Sequence, residues 1–473
     1  MYGDMSRLLD GLSGHFSGVL AQQGRLLLDS ELNEQNAILL DYLRCLTTDL
    51  IGPFAGPVHH AGFEVEPVVR DGRCRAVRLR RGRYYVYGLR CETPPPHQQA
   101  NREWAIGLQE GKFVVYLVVW EQSVSAIQAP EIIDPALPAD VPDTTRRRQV
   151  RWRPAAGRTL PRRDEDLTDL DRESIIRAFR EYDADPRDRP TLAARPDSGG
   201  DAAPGPAAAP VPWGYRGMEN QLYRVEVYRG GHRDEATFVW SRNNGTPEFG
   251  LTALTDPPDG LGLRTATLQR GWYDSRQGLE VDDWVELADD TWAPLGTPAP
   301  LMQVKGVSLA TRQVTLQDGK GHRDFDLARH PLLRRWDQRP DDPAASQGIP
   351  VREADRKWFE LEDGVQIRFD TPEAYYEHGD FWLMPARTGT GLLWPQSQDA
   401  RPVPLALPPY GPARYLAPLA LVHHLPGEPT NLRTLFEHRI GEHEPPHSGG
   451  TTGPGGTAAR RPRSTSRTRQ APA

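Results

Sequence analysis

A glycine or proline stands at about every fifth position of this chain, 44 Gly and 45 Pro among 473 residues, and no repeat period organises them. In a helix interior a glycine costs about 1 kcal/mol and a proline about 3 kcal/mol relative to alanine. Long helices are therefore excluded over most of the sequence, and many short strands joined by turns are expected. A chain this long exceeds one ordinary core, so roughly two to four compact units are expected. The expected fold class is mainly β: multi-domain, built of β-sandwich or barrel-like units, with an N-terminal helical arm and a disordered C-terminal tail.

Strand signals begin near Gly62. Tyr84 to Tyr87 is one β-favouring run, and Phe113 to Trp120 is a second. The second is apolar on both faces and too short for a typical helix, which predicts a central strand. A helix is expected over Thr168 to Tyr182, with Leu170, Ile175, Ile176 and Phe179 facing inward. Further on, Tyr223, Val225 and Val227 alternate with Arg224, Glu226 and Tyr228, the pattern of a half-buried strand. More strands are expected at Ala236 to Ser241, Glu280 to Leu287, Leu301 to Leu309 and Gln313 to Leu316, with a tight turn at Asn243-Asn244-Gly245. Val365, Ile367 and Phe369 mark another strand, and Asn431 to His438 a last short helix.

These signals divide the chain into a helical docking arm (1–55), a first β-rich domain closed by a helix (56–182), a loop or linker (183–213), a second β-rich unit (214–440, with a further split near 338–356) and a tail (441–473). The linker is rich in Pro, Ala, Asp and Gly and has little to bury. Residues 448–473 hold five arginines and no acid. They cannot bury enough surface to offset the entropy of ordering.

In the arm, Ser30 is the expected helix N-cap and Gly52-Pro53 the stop. Between them, Leu32, Asn36, Leu39, Leu43, Leu46 and Leu50 fall on one side of a helix. Written as heptads, Asn36 takes an a position, where a buried Asn fixes register between identical helices. The run is under three heptads, so docking on the chain's own domain stays open beside docking on a partner. These six residues form the candidate assembly interface.

Catalytic signatures are missing. The glycines at 447–456 lack the flanking strand, helix and GK[ST] of a phosphate loop. No G-x-S-x-G elbow or H-E-x-x-H helix occurs. His59-His60 and His423-His424 are adjacent, and neighbours on a strand face opposite ways, so neither pair is expected to chelate a metal. Carboxylate doublets such as Asp282-Asp283, Asp289-Asp290 and Asp341-Asp342 read as turns, and Trp120, Trp240 and Trp284 as core or interface residues. Three cysteines (Cys45, Cys74, Cys91) are too few for a disulfide framework or zinc site. The net charge of −7 provides no drive toward nucleic acid or an anionic membrane. No apolar run reaches the roughly 20 residues of a membrane span, and the opening Met1-Tyr2-Gly3-Asp4 lacks signal-peptide character.

Two stretches carry more than composition. His15 to Gln35 (HFSGVLAQQGRLLLDSELNEQ) resembles the opening of an uncharacterised bacterial domain family found in gene clusters for phage-tail-like contractile injection systems. Its Gly-Arg turn followed by Glu31-Leu32-Asn33-Glu34 is similar to the N-termini of phage baseplate and tail-fibre proteins. Pro142-Asp143-Thr144-Thr145-Arg146, followed by Val150 and Trp152, resembles a step after the first β segment of the same proteins. The likeness continues through Glu219 to Glu226, Phe238 to Gly245, Arg334 to Asp337, Gly379 to Arg387 and Ala417 to Ala420. It departs at Arg414-Tyr415, where members often carry His-His, and at Leu32, where they carry Trp. Members are sometimes fused to a right-handed β-helix, and nothing resembling one follows residue 440.

The resemblance implies a non-enzymatic structural component of a contractile injection particle, baseplate- or tail-associated. Its partners would be other subunits of that particle, in a homo-oligomer for which a trimer is one arrangement. It would use no cofactor, insert in no membrane and bind no specific nucleic acid. It would be cytoplasmic on synthesis and then part of an assembled particle open to release. The alternatives are a carbohydrate- or surface-binding module using exposed Trp and a particle-borne effector.

Overall fold

The computed structural model describes residues 1–8, 14–93, 102–107, 109–137, 143–182, 189–197, 214–255, 262–272, 274–290, 298–317, 326–338, 345–371 and 373–437. The tail expected at 441–473 lies outside them. The chain is mainly β, with two α-helices among the described residues. Helix α1 (Asp29–Ile51) ends at Gly52, whose N–H donates to Thr48 O at 2.9 Å. Strands β1 (Phe54–Pro57), β2 (Val65–Arg70), β3 (Arg73–Leu79), β4 (Gly82–Val86), β5 (Leu89–Thr93) and β6 (Trp104–Ala105) follow, then the long pair β7 (Lys112–Val124) and β8 (Arg147–Gly157). Helix α2 (Arg172–Glu181) comes next. The Asp171 carboxylate caps it by accepting from the N–H groups of Glu173 and Ser174. Ile175, Ile176 and Phe179 are buried on its inner face.

The span read as a linker holds a strand, β9 (Leu192–Pro196), with Leu192, Ala193 and Ala194 fully buried. After it come β10 (Gln221–Arg229) and β11 (Thr237–Ser241). Six strands then close a barrel: β12 (Glu248–Thr255), β13 (Leu263–Leu268), β14 (Trp284–Ala288), β15 (Leu301–Ser308), β16 (Gln313–Gln317) and β17 (Leu332–Trp336), in the spatial order β12-β13-β16-β15-β14-β17. Val285, Leu287, Val304, Val314, Leu316 and Leu333 fill it. Closure leaves no sheet edge to blunt.

From the barrel the chain goes back to strands it has already laid down. Strands β18 (Ile349–Pro350), β19 (Phe359–Glu360), β20 (Val365–Phe369), β21 (Phe381–Arg387) and β22 (Gly391–Leu392) join β9 to β11. They form a five-stranded sheet, β18-β11-β10-β21-β22, and a three-stranded sheet, β19-β20-β9. Their facing side chains share one core that includes Val225, Phe238, Trp240, Ile367, Phe369 and Trp382.

Strands β23 (Tyr415–His423), β24 (Thr430–Asn431) and β25 (Leu435–Phe436) then return to the first body: β23 pairs antiparallel with β7, and β25 pairs parallel with β1. So the described strands of the span 214–440, read as a second unit with a further split near 338–356, are divided among all three bodies. No helix forms over the described residues 431–437 of the helix expected at 431–438, because Asn431 is taken by Ala420 and Leu435 by Gly56 across sheets. In the first core, Phe113 to Val119 of β7 are all buried, packed among Val77, Tyr84, Leu416, Leu419 and Phe179.

Strand β10 differs from the half-buried strand that its alternation predicts. Its second face is as dry as its first: Arg224, Glu226 and Tyr228 are buried too. Strand β17 is the same, burying Arg334 and Arg335 between Leu333 and Trp336. Both polar faces are covered by neighbouring bodies, and each buried charge is paired. Tyr228, Val239, Trp284, Leu301 and Trp336 form a small apolar core where sandwich meets barrel.

Candidate functional site

Two features stand out: the outer face of α1 and a cavity at the junction of the bodies. Leu28, not Ser30, is the α1 N-cap; its N–H donates to the Glu31 carboxylate at 3.1 Å, and Ser30 is turned inward and buried. Sequence alone misses this because the Glu31 side chain closes the first turn without a hydroxyl. α1 is attached to the body by its polar side. Arg44 pairs with Glu121 of β7 at 2.7 Å. Gly88, at φ 74°, lets the backbone come so close that a Cβ there would stand 2.6 Å from Arg44 Cα. Asp29 accepts from Ser6 N–H at 2.9 Å, and Gln35 from Val19 N–H at 2.7 Å.

The opposite side of α1 carries the candidate interface residues. Leu32, Leu39, Leu43, Leu46 and Leu50 are 55, 51, 54, 42 and 74% exposed, and Asn36 is exposed between them. Tyr42 and Leu40 widen the apolar surface on either flank. An amphipathic helix that lies on its own domain buries its apolar stripe. Here Ile38 is the one apolar residue of α1 that is buried.

The first residues do not belong to an arm. Tyr2 enters the junction, where its hydroxyl donates to Glu226 Oε1 at 2.8 Å. Its ring lies between two guanidinium groups, Arg334 at 3.6 Å and Arg224 at 4.3 Å from the ring centroid. The Asn244 side chain donates to Gly3 O at 2.9 Å and accepts from Arg224 at 3.1 Å. The Asn243-Asn244-Gly245 turn is what allows this approach. Gly245 has φ 74°, and a Cβ on it would stand 2.4 Å from the Tyr2 ring.

The junction encloses a cavity of about 640 Å³. Tyr116, Trp120 and Gln122 of β7 and Arg153 of β8 line it from the first body. Arg224, Glu226 and Phe381 line it from the sandwich, Glu286 and Arg334 from the barrel. Arg224 and Glu226, two apart on one face of β10, pair at 2.6 Å. Arg334 bridges Glu248 and Glu286, each at 2.8 Å, and Arg146 reaches Glu248 at 2.8 Å. Burial alone would raise the Glu248 carboxyl, but these two arginines hold it at about 2. At the other end Arg414 binds both Glu377, at 3.0 Å, and Asp380. Arg162 also reaches Glu377, at 2.7 Å. Burial and the nearby Glu377 push Asp380 up despite Arg414.

None of these cavity residues is prominent in the sequence. The available signal is an Arg and a Glu two apart, or an Arg pair, inside a strand that is otherwise apolar; charges at such positions need partners from elsewhere in the chain.

No group of three His, Cys, Asp or Glu able to hold a metal occurs among the described residues. His423 and His424 do not face opposite ways: β23 ends there, and their rings stand 4.7 Å apart. Their Nδ1 atoms already accept backbone N–H groups, from Leu425 at 3.1 Å and Gly111 at 2.9 Å. Trp240 and Trp284 are buried, and Trp120 is half-buried at the cavity wall. No described helix is long and apolar enough to cross a membrane.

Residues 1–156 and 171–420 match the model of a family described as "Family of unknown function (DUF6519)". The chain belongs to this family. No curated protein and no solved structure matches it. The DUF6519 match takes in α1, the whole barrel and the cavity residues Tyr2, Arg153, Arg224, Arg334 and Arg414. It leaves out Arg162 and Arg163 on the cavity wall and the two closing strands β24 and β25.

Proposed function

We propose that this chain is a structural component of a phage-tail-like contractile injection particle, baseplate- or tail-associated, and that α1 joins it to other copies of itself. The observation that carries the reading is the mounting of α1, with its polar side gripping Glu121 and Gly88 and its heptad leucines turned outward. Leucine at two a and three d positions, with Asn36 at the remaining a position, is the surface of a helix that meets its own kind in register. The ordered motifs from His15 to Ala420 support the particle as its setting. The bodies behind α1 then act as a rigid block, held by its barrel and charged junction, that the helix bundle positions. In this reading the chain is made in the cytoplasm and leaves it within the particle.

The test expresses the particle gene cluster with this subunit carrying Leu39→Glu, Leu43→Glu and Leu46→Glu. Sedimented particles are then assayed for the subunit by mass spectrometry. Particles lacking the variant are expected, while the purified variant keeps the wild-type melting profile. A full complement of variant subunit in the particles overturns the reading. Deleting residues 1–50 is a poorer test, because it also removes Tyr2 from Glu226 and Gly3 from Asn244.

A further inference from the structure

We propose that the junction cavity is a binding site for a phosphorylated small molecule, held in the arginine-rich lobe around Glu377. The assembly reading does not require this site, and the two stand or fall separately.

The lobe is lined by several arginines, of which Arg163 and Arg189 already have partners of their own. Arg153, Arg162, Arg163, Arg189 and Arg414 line it, against the carboxylates of Glu377 and Asp380 among the described lining residues. These groups line one cavity, and they act on one another across it. Burial would raise Glu377, yet Arg414, Arg162 and Arg189 hold it below its ordinary range. Tyr182, raised by burial, feels Arg162, Arg163 and Arg189 as well as Glu377, and Tyr116 feels Tyr182, Arg153 and Glu377.

Arg414 and Arg162 are committed to carboxylates, but Arg153 lines the cavity half-buried, and its guanidinium makes no hydrogen bond or ion pair to any described residue. Two further polar atoms of the cavity wall have nothing to bind. Arg162 Nε and Gln122 Oε1 both line the cavity, are shut off from solvent and have no partner. A buried donor left unmade is costly. A guanidinium fork offers paired N–H groups at the spacing of phosphoryl oxygens.

The remaining wall suits the body of such a ligand. Tyr116, Tyr182 and Tyr375 supply ring faces and hydroxyls beside the arginines, with Arg162 5.8 Å above the Tyr375 ring. A volume of about 640 Å³ lies within the range of small-molecule sites, roughly 300–1,000 Å³, and admits a sugar phosphate or a nucleotide.

Isothermal titration calorimetry with pyrophosphate, glucose 6-phosphate and ADP tests this, inorganic phosphate and adenosine separating the phosphoryl group from the ring. At least one of the three phosphorylated probes is expected to bind with a submillimolar Kd. Arg153→Ala and Arg153→Gln should each weaken that binding by about tenfold or more, while Arg352→Ala, outside the cavity wall, leaves it unchanged. Arg153 has no partner to lose, so both variants should melt with the wild type, and either one that folds decides the matter. Absence of binding by all three phosphorylated probes overturns the proposal. So does binding that survives loss of the Arg153 guanidinium, or adenosine binding as tightly as ADP.

Discussion

Replacing Leu39, Leu43 and Leu46 together by alanine separates a helix made for a partner from one that merely packs on its own domain. Full burial of a leucine is worth about 2 kcal/mol over full exposure. These three retain 51, 54 and 42% of their exposure in the single chain. About 1 kcal/mol per leucine therefore remains to be gained from a partner, about 5 kcal/mol for the whole stripe and about 10 kcal/mol for a pair of helices. Association costs about 4 kcal/mol or more in lost freedom. The surplus of at most about 6 kcal/mol corresponds to a Kd no tighter than tens of micromolar. Isolated chains should thus self-associate weakly, and stable assembly requires the particle to hold many copies close together. Sedimentation velocity across that concentration range should show reversible association in the wild type and none in the triple alanine variant. In dilute urea titrations the variant should lose no more than about 0.5 kcal/mol per site, the usual ceiling for surface positions. If the stripe were buried within the chain, each leucine would instead cost about 3–5 kcal/mol. A large loss of stability in dilute protein, or undiminished association, refutes the reasoning.

Two further outcomes follow from the charged interior. Arg334→Ala removes the ion pair of Glu286, 12% exposed, and leaves Glu248, 3% exposed, with Arg146 alone; it should cost about 3–5 kcal/mol by urea denaturation, and wild-type stability would show that Arg334 is dispensable. Burial raises the Glu362 carboxyl to about 7, with Asp337 and Asp363 adding to the rise and Arg242 opposing it. The folded chain then keeps a proton that the unfolded chain has released, so stability should fall as pH climbs from about 4.5 to about 7, by at most about 1.4 kcal/mol per pH unit. Denaturation at about pH 5 and about pH 8 should show that slope in the wild type and a flatter one in Glu362→Gln; equal slopes would mean that Glu362 is ionised throughout.

What could be read from the sequence was what local pattern decides. Phe113 to Val119 is apolar without interruption, so β7 is legible as a strand buried on both sides. The leucine spacing from 32 to 50 marks α1 and its stripe. What escaped depends on distant segments. Leu192-Ala193-Ala194 has little apolar mass, and it becomes a strand because Ile367, Arg368 and Phe369 pair with it. Asn431 and Leu435 favour a helix only until the strands ending at His423 and Pro57 claim them. The cavity was least legible. Arg224 alternates as if on the solvent face of a strand, Arg334 and Arg414 stand in stretches whose local pattern is silent about burial, and the cavity that all three line arises only where the bodies meet.

The return of the last strands has a consequence for synthesis. The chain is laid out like nested parentheses, and every strand of the innermost pair, the barrel, has been made once Trp336 has been added. Outermost, Leu435–Phe436 pairs with Gly56–Pro57, and just inside that Tyr415–His423 must reach Lys112–Val124. Until the ribosome has passed that point, a ribbon of valines and aromatics presents one bare edge, the kind of segment on which β aggregates nucleate. Pairing of that edge thus waits on the final stretch of the chain.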